Sequence, residues 1–270
     1  MRRYRHGCIT PALRISRSLP ASLALPAPLA PLAFLVCALV ATTTSLPAQA
    51  DPDALYRDRV NLASARQAVE IWEGRLKATP GDFESAWKIS RATYWIGKHE
   101  SREAGRRTLE RGTEAGRLAA TLQPGRPEGH FWMAANMGAL AESYGLRQGL
   151  RYRGAIKDAL ERVLTIDPGF LDGSADRALG RWYHQVPGLF GGSESRSEEH
   201  LRKSLTYNPD SILSRYFLAE TLFERNKDAE AIGELRKVMA ATPNPEFEPE
   251  DRELQKQAAE ELGRRTKGKR

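Results

Sequence analysis

The sequence predicts an all-α protein made of four to five divergent helix pairs, and three observations support this fold class. From Ala54 onward the chain is rich in Ala, Leu, Arg and Glu and has few Val or Ile. Apolar and polar residues nowhere alternate over the length of a strand. Prolines recur where helical runs should end, because proline lacks the N–H that continues a helix. We therefore expect helices and short turns from about residue 53 to residue 262.

The spacing of these prolines predicts the kind of repeat. Helical runs end at the segments "KATPGD", "TLQPGR", "TIDPGF", "TYNPDS" and "AATPNP". Their prolines are 44, 44, 41 and 34 residues apart, and 34 residues is the tetratricopeptide period. The longer intervals equal that period with 10, 10 and 7 residues inserted. The sequence thus predicts a tetratricopeptide-like solenoid, in which stacked helix pairs cover the apolar faces of their neighbours.

Small residues support this register. If each proline is position 32 of a unit, position 8 of the next unit, where the two helices approach closely, should be small. The residues at that position are Ser90, Ala134, Ala178 and Ala219. Position 20, where helix B packs on helix A, gives Ala68 and Ala231, and the large apolar position 24 gives Trp72, Leu201 and Leu235. Arg177 and Arg181 depart from the pattern, because they stand where apolar residues are usual.

Both ends of the chain differ from the repeats. Residues 1–50 have a basic start, an apolar stretch and small residues at Ala48 and Ala50, which is the pattern of a secretory signal peptide. The apolar part is too short to span a bilayer, so we expect cleavage after Ala50 and export to the periplasm. Residues 51–262 then form the solenoid domain, whose last segment "EPEDRELQKQAAEELGRR" suits a capping helix. Residues 263–270 are a basic C-terminal tail.

Removal of the signal changes the charge argument. The whole chain is formally +7, but five arginines and no acidic residue lie in residues 1–50, so the mature chain has 36 basic against 34 acidic residues. We therefore expect no nucleic-acid partner. Cys8 and Cys37 leave with the signal, so the mature protein has no disulfide, no thiol nucleophile and no cysteine-ligated metal.

Catalytic and cofactor motifs are missing from the sequence. His99, His130, His184 and His200 show no paired metal-ligand spacing, and we interpret them as structural. The chain has no nucleophile elbow after a strand and no phosphate-binding loop. We expect neither enzymatic activity, nor a cofactor, nor a metal.

An aromatic series is the strongest candidate site. In the repeat register several aromatic side chains of the A helices, with two polar ones, fall on the concave surface of the solenoid. These candidate groove residues are Trp87, Arg91, Tyr94, Trp95, Phe131, Asn136, Trp182, Tyr183, Tyr216 and Phe223. Either they fill the interior of divergent repeats, or they line a groove for a small molecule or a partner segment.

The segment "HQVPGLFGGSES" lies between two helices of the fourth unit. We interpret it as an enlarged turn within the repeat: proline stops the first helix, the glycines re-aim the chain, and Ser195 with Glu198 forms a capping box for the next helix. An apolar pair in the turn is expected to fold over the groove mouth. The loop residues in this prediction are Pro187, Leu189, Phe190, Gly191 and Gly192.

Residues 178–223, "ALGRWYHQVPGLFGGSESRSEEHLRKSLTYNPDSILSRYFLAETLF", resemble the periplasmic tetratricopeptide proteins associated with TRAP transporters, the T component (TatT) family. The segments "ESAWKISRATYWIG" and "GHFWMAANMGALAE" are similar to the earlier helices of that family, so the resemblance covers most of residues 60–243. It implies an exported solenoid with an apolar pore or cleft, working beside the periplasmic solute-binding protein of the transporter. The resemblance is also compatible with a homo-oligomer.

Two functions follow from these observations. The first is a non-catalytic periplasmic accessory of a TRAP-type system that binds a small hydrophobic or organic-acid ligand, the solute-binding protein, or both. The alternative is a general periplasmic tetratricopeptide scaffold whose concave groove binds a peptide or protein partner. A co-purifying small apolar molecule would favour the first.

Overall fold

The computed structural model describes residues 50–267, and this part of the chain is helical with no strand. It confirms the all-α, helical-hairpin fold class. The α-helices within it are α1 (Pro52–Arg57), α2 (Leu62–Ala78), α3 (Phe83–His99), α4 (Arg102–Leu122), α5 (Pro127–Tyr144), α6 (Leu146–Gly149), α7 (Arg153–Ile166), α8 (Phe170–Gln185), α9 (Glu194–Tyr207), α10 (Ile212–Glu224), α11 (Asp228–Ala240) and α12 (Glu248–Lys267). Short 3₁₀ turns cover Leu150–Tyr152 and Gly188–Phe190.

Local sequence explains where many helices begin. Asp82 accepts a hydrogen bond from the backbone N–H of Ser85 (3.1 Å) at the start of α3. Ser211 does the same for the N–H of Ser214 (3.3 Å) at the start of α10. Such N-caps satisfy backbone donors that the first helical turn leaves unpaired. The predicted proline stops lie just beyond the ends of α2, α4, α7, α9 and α11.

The helices form two layers of paired helices. The A helices α3, α5, α8 and α10 contact one another along the inner layer, and the B helices α4, α7, α9 and α11 pack outside them. Most register residues lie in the contacts between layers: Ser90, Ala219, Ala68, Ala231 and Leu201 are fully buried. Ala178 is an exception, because it is only half-buried. The burial of the others confirms the helix-pair arrangement that the proline intervals predict.

The inserted residues are used in three different ways. In the second unit α3 and α4 are long, with 17 and 21 residues against 13 each in α10 and α11. In the third unit the insertion forms α6 and the first 3₁₀ turn. In the fourth unit it forms the turn between α8 and α9, which contains the second 3₁₀ turn.

The α8–α9 turn differs in detail from the prediction. The helix cap is Ser193, which accepts from the N–H of Arg196 (3.3 Å), so the proposed capping box at Ser195 is wrong. Gly191 has φ +105°, as a left-handed turn requires. Gly192 has no positive φ. Glycine is required at this position because an added Cβ would lie 1.5 Å from the carbonyl oxygen of Val186.

The first and last helices of the solenoid meet. Arg59, just after α1, donates from Nε (3.0 Å) and from a terminal nitrogen (2.5 Å) to Glu250 of α12, and also to the carbonyl of Glu246 (2.7 Å). Its side chain is only 3% exposed. Arg91 of α3 adds an ion pair with Glu246 at 3.6 Å. The capping helix α12 therefore closes the curve of the solenoid as well as covering its end.

The chain ends fit the predicted boundaries only in part. The predicted signal peptide, residues 1–50, lies outside the described residues except for Ala50. Helix α12 continues to Lys267, so the tail predicted from residue 263 begins within a helix. Among the helices that the structure describes, none is both long and apolar enough to cross a membrane.

Candidate functional site

Closure of the solenoid creates a central cavity of about 730 Å³ on the concave side of the A helices. Its wall is built by residues of α3, α5, α7, α8, α10 and α12, with Tyr56 from α1. Most of these helices present one face to it; on α8 the spacing of Ser174, Arg177 and Arg181 is that of one helix face. The volume is in the range of sites that hold a small organic molecule.

Half of the predicted groove residues lie on the cavity wall: Tyr94, Trp95, Phe131, Trp182 and Tyr216. Two of the indoles are fixed by hydrogen bonds. Trp95 Nε1 donates to the carbonyl of Arg59 (2.7 Å), and Trp182 Nε1 donates to the carbonyl of Arg153 (2.9 Å). Their polar edges are therefore satisfied by protein, which leaves the apolar parts of the rings for the cavity.

The other half lie elsewhere: Trp87, Arg91, Asn136, Tyr183 and Phe223. Asn136 is fully buried and donates to the carbonyls of Ser90 and Trp132, both at 2.8 Å, because α5 packs closely on α3 there. Tyr183 stacks on the His200 ring. Phe223 lies under the Arg265 guanidinium at 4.1 Å, Arg91 is held by its ion pairs, and Trp87 donates to Glu84.

The turn predicted to cover the groove does not line the cavity. Pro187, Leu189, Phe190, Gly191 and Gly192 are all absent from its wall, to which Gln185 and Val186 contribute instead. Leu189 is 90% and Phe190 43% exposed.

Several wall residues were not predicted. Trp132 and Phe217 flank predicted aromatics in the sequence, while Phe247 immediately precedes the capping segment and Leu254 belongs to it. The departures of Arg177 and Arg181 from the apolar pattern of the repeat were a usable signal. Both arginines lie on the cavity wall.

Most charged groups on the wall have partners. Arg181 pairs with Glu220 at 2.6 Å and approaches Glu142 at 3.7 Å, and Glu250 is held by Arg59. Burial raises the pKa of the Glu220 carboxyl, although Arg181 opposes that shift. Burial also raises the pKa of Asp251, whose carboxylate accepts the backbone N–H of Asn244 (2.8 Å).

Arg177 and Ser174 are different from these paired groups. Within residues 50–267 the Arg177 guanidinium makes no hydrogen bond and has no carboxylate within 4 Å. Its side chain is half-buried, and the loss of hydration lowers the pKa of the guanidinium to about 10, so it stays charged at neutral pH. The Ser174 hydroxyl is fully buried and also has no hydrogen-bond partner in the described structure.

The four histidines among the described residues all contact nearby acceptors. His99 and His130 contact the carbonyls of Trp95 and Pro124, while His184 and His200 contact the carboxylates of Glu194 and Asp176. Across the described part of the chain, no group of three or more histidine and acidic side chains is arranged to hold a metal.

Paired helices stacked around a concave cavity define a tetratricopeptide-like solenoid protein. The family model described as regulator of microtubule dynamics protein 1-3 (RMD1-3) matches residues 51–189. The chain belongs to this family. The match includes α1 to α8 and therefore both Ser174 and Arg177.

Similarity to a solved structure supports the fold. The structure is similar to TTC0263, a thermophilic TPR protein of Thermus thermophilus, with a TM-score of 0.60 and 20% identity over 78% of this chain and 97% of that one. MamA from Desulfovibrio magneticus RS-1 has a TM-score of 0.48 and 17% identity, over 72% of this chain and 96% of that one. No curated protein matches the sequence significantly. The comparisons support the tetratricopeptide class and do not support the T component family in particular.

Proposed function

We propose that this protein is a non-catalytic binding protein that holds a small, largely apolar molecule in the central cavity. The observation that carries the proposal is the cavity itself, a space of about 730 Å³ ringed by Tyr94, Phe131, Trp132 and Trp182. A core that had no ligand would be packed to the density of an organic crystal. Here the aromatic rings surround a space instead of filling it.

A blocking substitution tests the proposal. Gly138 lies on α5 at the cavity wall, and an added Cβ there would meet nothing within 4 Å. Gly138→Trp should therefore fill the cavity without a backbone clash, and replacing a mid-helix glycine also removes a helix penalty of up to about 1 kcal/mol. We expect the melting temperature to hold while binding of the neutral probe N-phenyl-1-naphthylamine falls at least about tenfold.

Gly233→Trp is the matched control. Gly233 is also a helical glycine with open space around an added Cβ, but it lies on the outer helix α11 and does not line the cavity. This variant should bind the probe as the unmodified chain does. If both tryptophan variants bind the probe equally well, the cavity is not the binding site.

The association with a TRAP-type system is the finer part of this proposal. It rests on the resemblance of residues 178–223 to the T component family, and on it the partner would be a periplasmic solute-binding protein. Export with cleavage after Ala50 belongs to the same proposal. Fractionation of the producing cells, followed by co-purification and mass spectrometry of the mature chain, tests both. Recovery in the cytosol without a transporter subunit would remove the TRAP assignment and leave the cavity proposal untouched.

A further inference from the structure

We infer that Arg177 and Ser174 form an anion subsite in the central cavity, which binds the carboxylate of an amphiphilic ligand whose chain occupies the aromatic part. This inference rests on the proposed function and specifies the class of ligand. Both residues lie on the cavity wall, three positions apart on α8. Side chains at that spacing are neighbours on one face of a helix.

The evidence begins with hydrogen bonds that are not made. A guanidinium carries five N–H donors, and fully buried polar groups such as the Ser174 hydroxyl are nearly always paired. Arg177 has no acceptor among the described residues, and neither does the buried hydroxyl of Ser174. Two donor groups without partners, three positions apart on one face of α8 and both in residues that line the cavity, indicate an acceptor that the chain itself does not supply.

The surrounding charges favour a single negative charge. The two carboxylates near Arg177 accept hydrogen bonds from other residues. Asp172 accepts from the side-chain amide of Asn208 (2.9 Å), and Asp251 accepts from the backbone N–H of Asn244. Both still attract the guanidinium from beyond ion-pair distance. They would repel a dianion such as a phosphate monoester. A carboxylate carries one charge and matches the planar fork of an arginine in a bidentate contact.

The backbone before Ser174 supports a built site. Leu171, Asp172 and Gly173 have φ values of 46°, 57° and 70°, so three successive residues are left-handed. Only glycine adopts this conformation without cost. At Gly173 an added Cβ would lie 2.6 Å from the Tyr207 ring. This turn sets where the helical part of α8 starts and thereby places Ser174 and Arg177 on the wall.

The test compares two ligands with the same chain, dodecanoate and dodecanol, by displacement of N-phenyl-1-naphthylamine from the full mature chain. The unmodified protein should prefer dodecanoate. Arg177→Met keeps the length of the side chain and removes the charge, so dodecanoate should bind about ten- to a hundredfold more weakly, while dodecanol binding stays within twofold. Dodecyl phosphate is the third probe and should bind more weakly than dodecanoate.

Arg107→Met is the matched control, because Arg107 is exposed on α4, pairs with Glu103 at 2.7 Å and does not line the cavity. It should keep the preference for the carboxylate. Ser174→Ala removes an unpaired hydroxyl and should fold at least as well as the parent, so it tests the subsite even if Arg177→Met is unstable; we expect a loss of about threefold or more for dodecanoate alone.

The outcomes separate the two proposals. If dodecanol and the naphthylamine probe bind but the carboxylate brings no preference, or if Arg177→Met and Ser174→Ala both bind dodecanoate within twofold of the parent, the anion subsite is overturned and the cavity function stands. A stronger preference for dodecyl phosphate overturns the choice of a monoanion. If none of the probes binds, the cavity function itself fails.

Discussion

Removing the Arg59 side chain should destabilise the protein by opening the contact between α1 and α12. Arg59 is 3% exposed and makes three hydrogen bonds, two to the Glu250 carboxylate and one to the carbonyl of Glu246. Its guanidinium also lies over the rings of Tyr56 and Trp95, at 5.1 and 5.4 Å. Arg59→Met keeps most of the apolar stem and removes only the charge and the donors.

The size of the stability loss depends on the environment of the Glu250 carboxylate that remains after the substitution. Breaking a buried ion pair costs about 3–5 kcal/mol when the remaining charge stays buried. Glu250 is 28% exposed, so water can partly solvate it after the substitution, and the expected loss is about 2–3 kcal/mol. Urea-induced unfolding followed by circular dichroism measures this loss. Glu250→Gln and the double variant complete a cycle that should give a coupling of about 1–2 kcal/mol.

Arg252→Gln is the control on the same helix. Arg252 pairs with Glu248 at 2.7 Å, one turn away along α12, and both side chains are about half or more exposed. Such a surface pair contributes about 0.5 kcal/mol or less. If Arg59→Met costs no more than Arg252→Gln, the ion pair is not what closes the solenoid, and the reasoning about its burial fails.

Two further predictions concern the α8–α9 region. Gly192→Ala should lower the free energy of unfolding by about 3 kcal/mol, because the new Cβ would overlap the Val186 carbonyl. Leu189→Ser, in the same exposed turn, is the control and should change the free energy of unfolding by less than about 0.5 kcal/mol. Thermal unfolding of the two variants measures both effects. Burial alone would raise the pKa of the Glu198 carboxyl, but hydrogen bonds from Lys227 and Arg202 outweigh burial and leave the pKa lowered. The ionised carboxylate therefore stabilises the fold above the ordinary carboxyl pKa, and this stabilisation is lost as the pH falls through the lowered pKa. Glu198→Gln should therefore destabilise clearly at pH 7 and progressively less as the pH falls below the ordinary carboxyl pKa, and a loss that does not change with pH would contradict that assignment.

The fold could be predicted because its signals are local. A proline stop and a small residue at a close approach act within one helix pair, so the intervals between Pro80 and Pro243 and the side chains of Ser90 and Ala219 were sufficient. The closure could not be predicted in this way. Arg59 and Glu250 are 191 residues apart, and no repeat period relates them.

The site was predicted in part for the same reason. The repeat register gives the side of a helix that is concave, and Tyr94, Trp182 and Tyr216 lie there. The register does not show whether a side chain on that side is buried between helices or faces the cavity. Asn136 was therefore assigned to the groove, although it is buried where α5 packs against α3. Arg177 stood out in the sequence only as a misfit to the pattern. The role that we propose for it rests on the structure, in which the guanidinium has no hydrogen-bond acceptor among the described residues.

Closure also separates the two candidate functions. A scaffold that accepts a partner helix needs an open groove, because an α-helix with its side chains is about 10–12 Å wide. A cavity for a small molecule gains from closure, because the wall contributed by α12 removes more of the ligand from water. The two functions therefore predict opposite effects of Arg59→Met. If the cavity is the functional site, the variant should bind dodecanoate more weakly. If an open groove is the functional site, the variant should bind a partner segment more readily. Unchanged dodecanoate affinity in a variant that has lost the α1–α12 contact would show that closure is structural only.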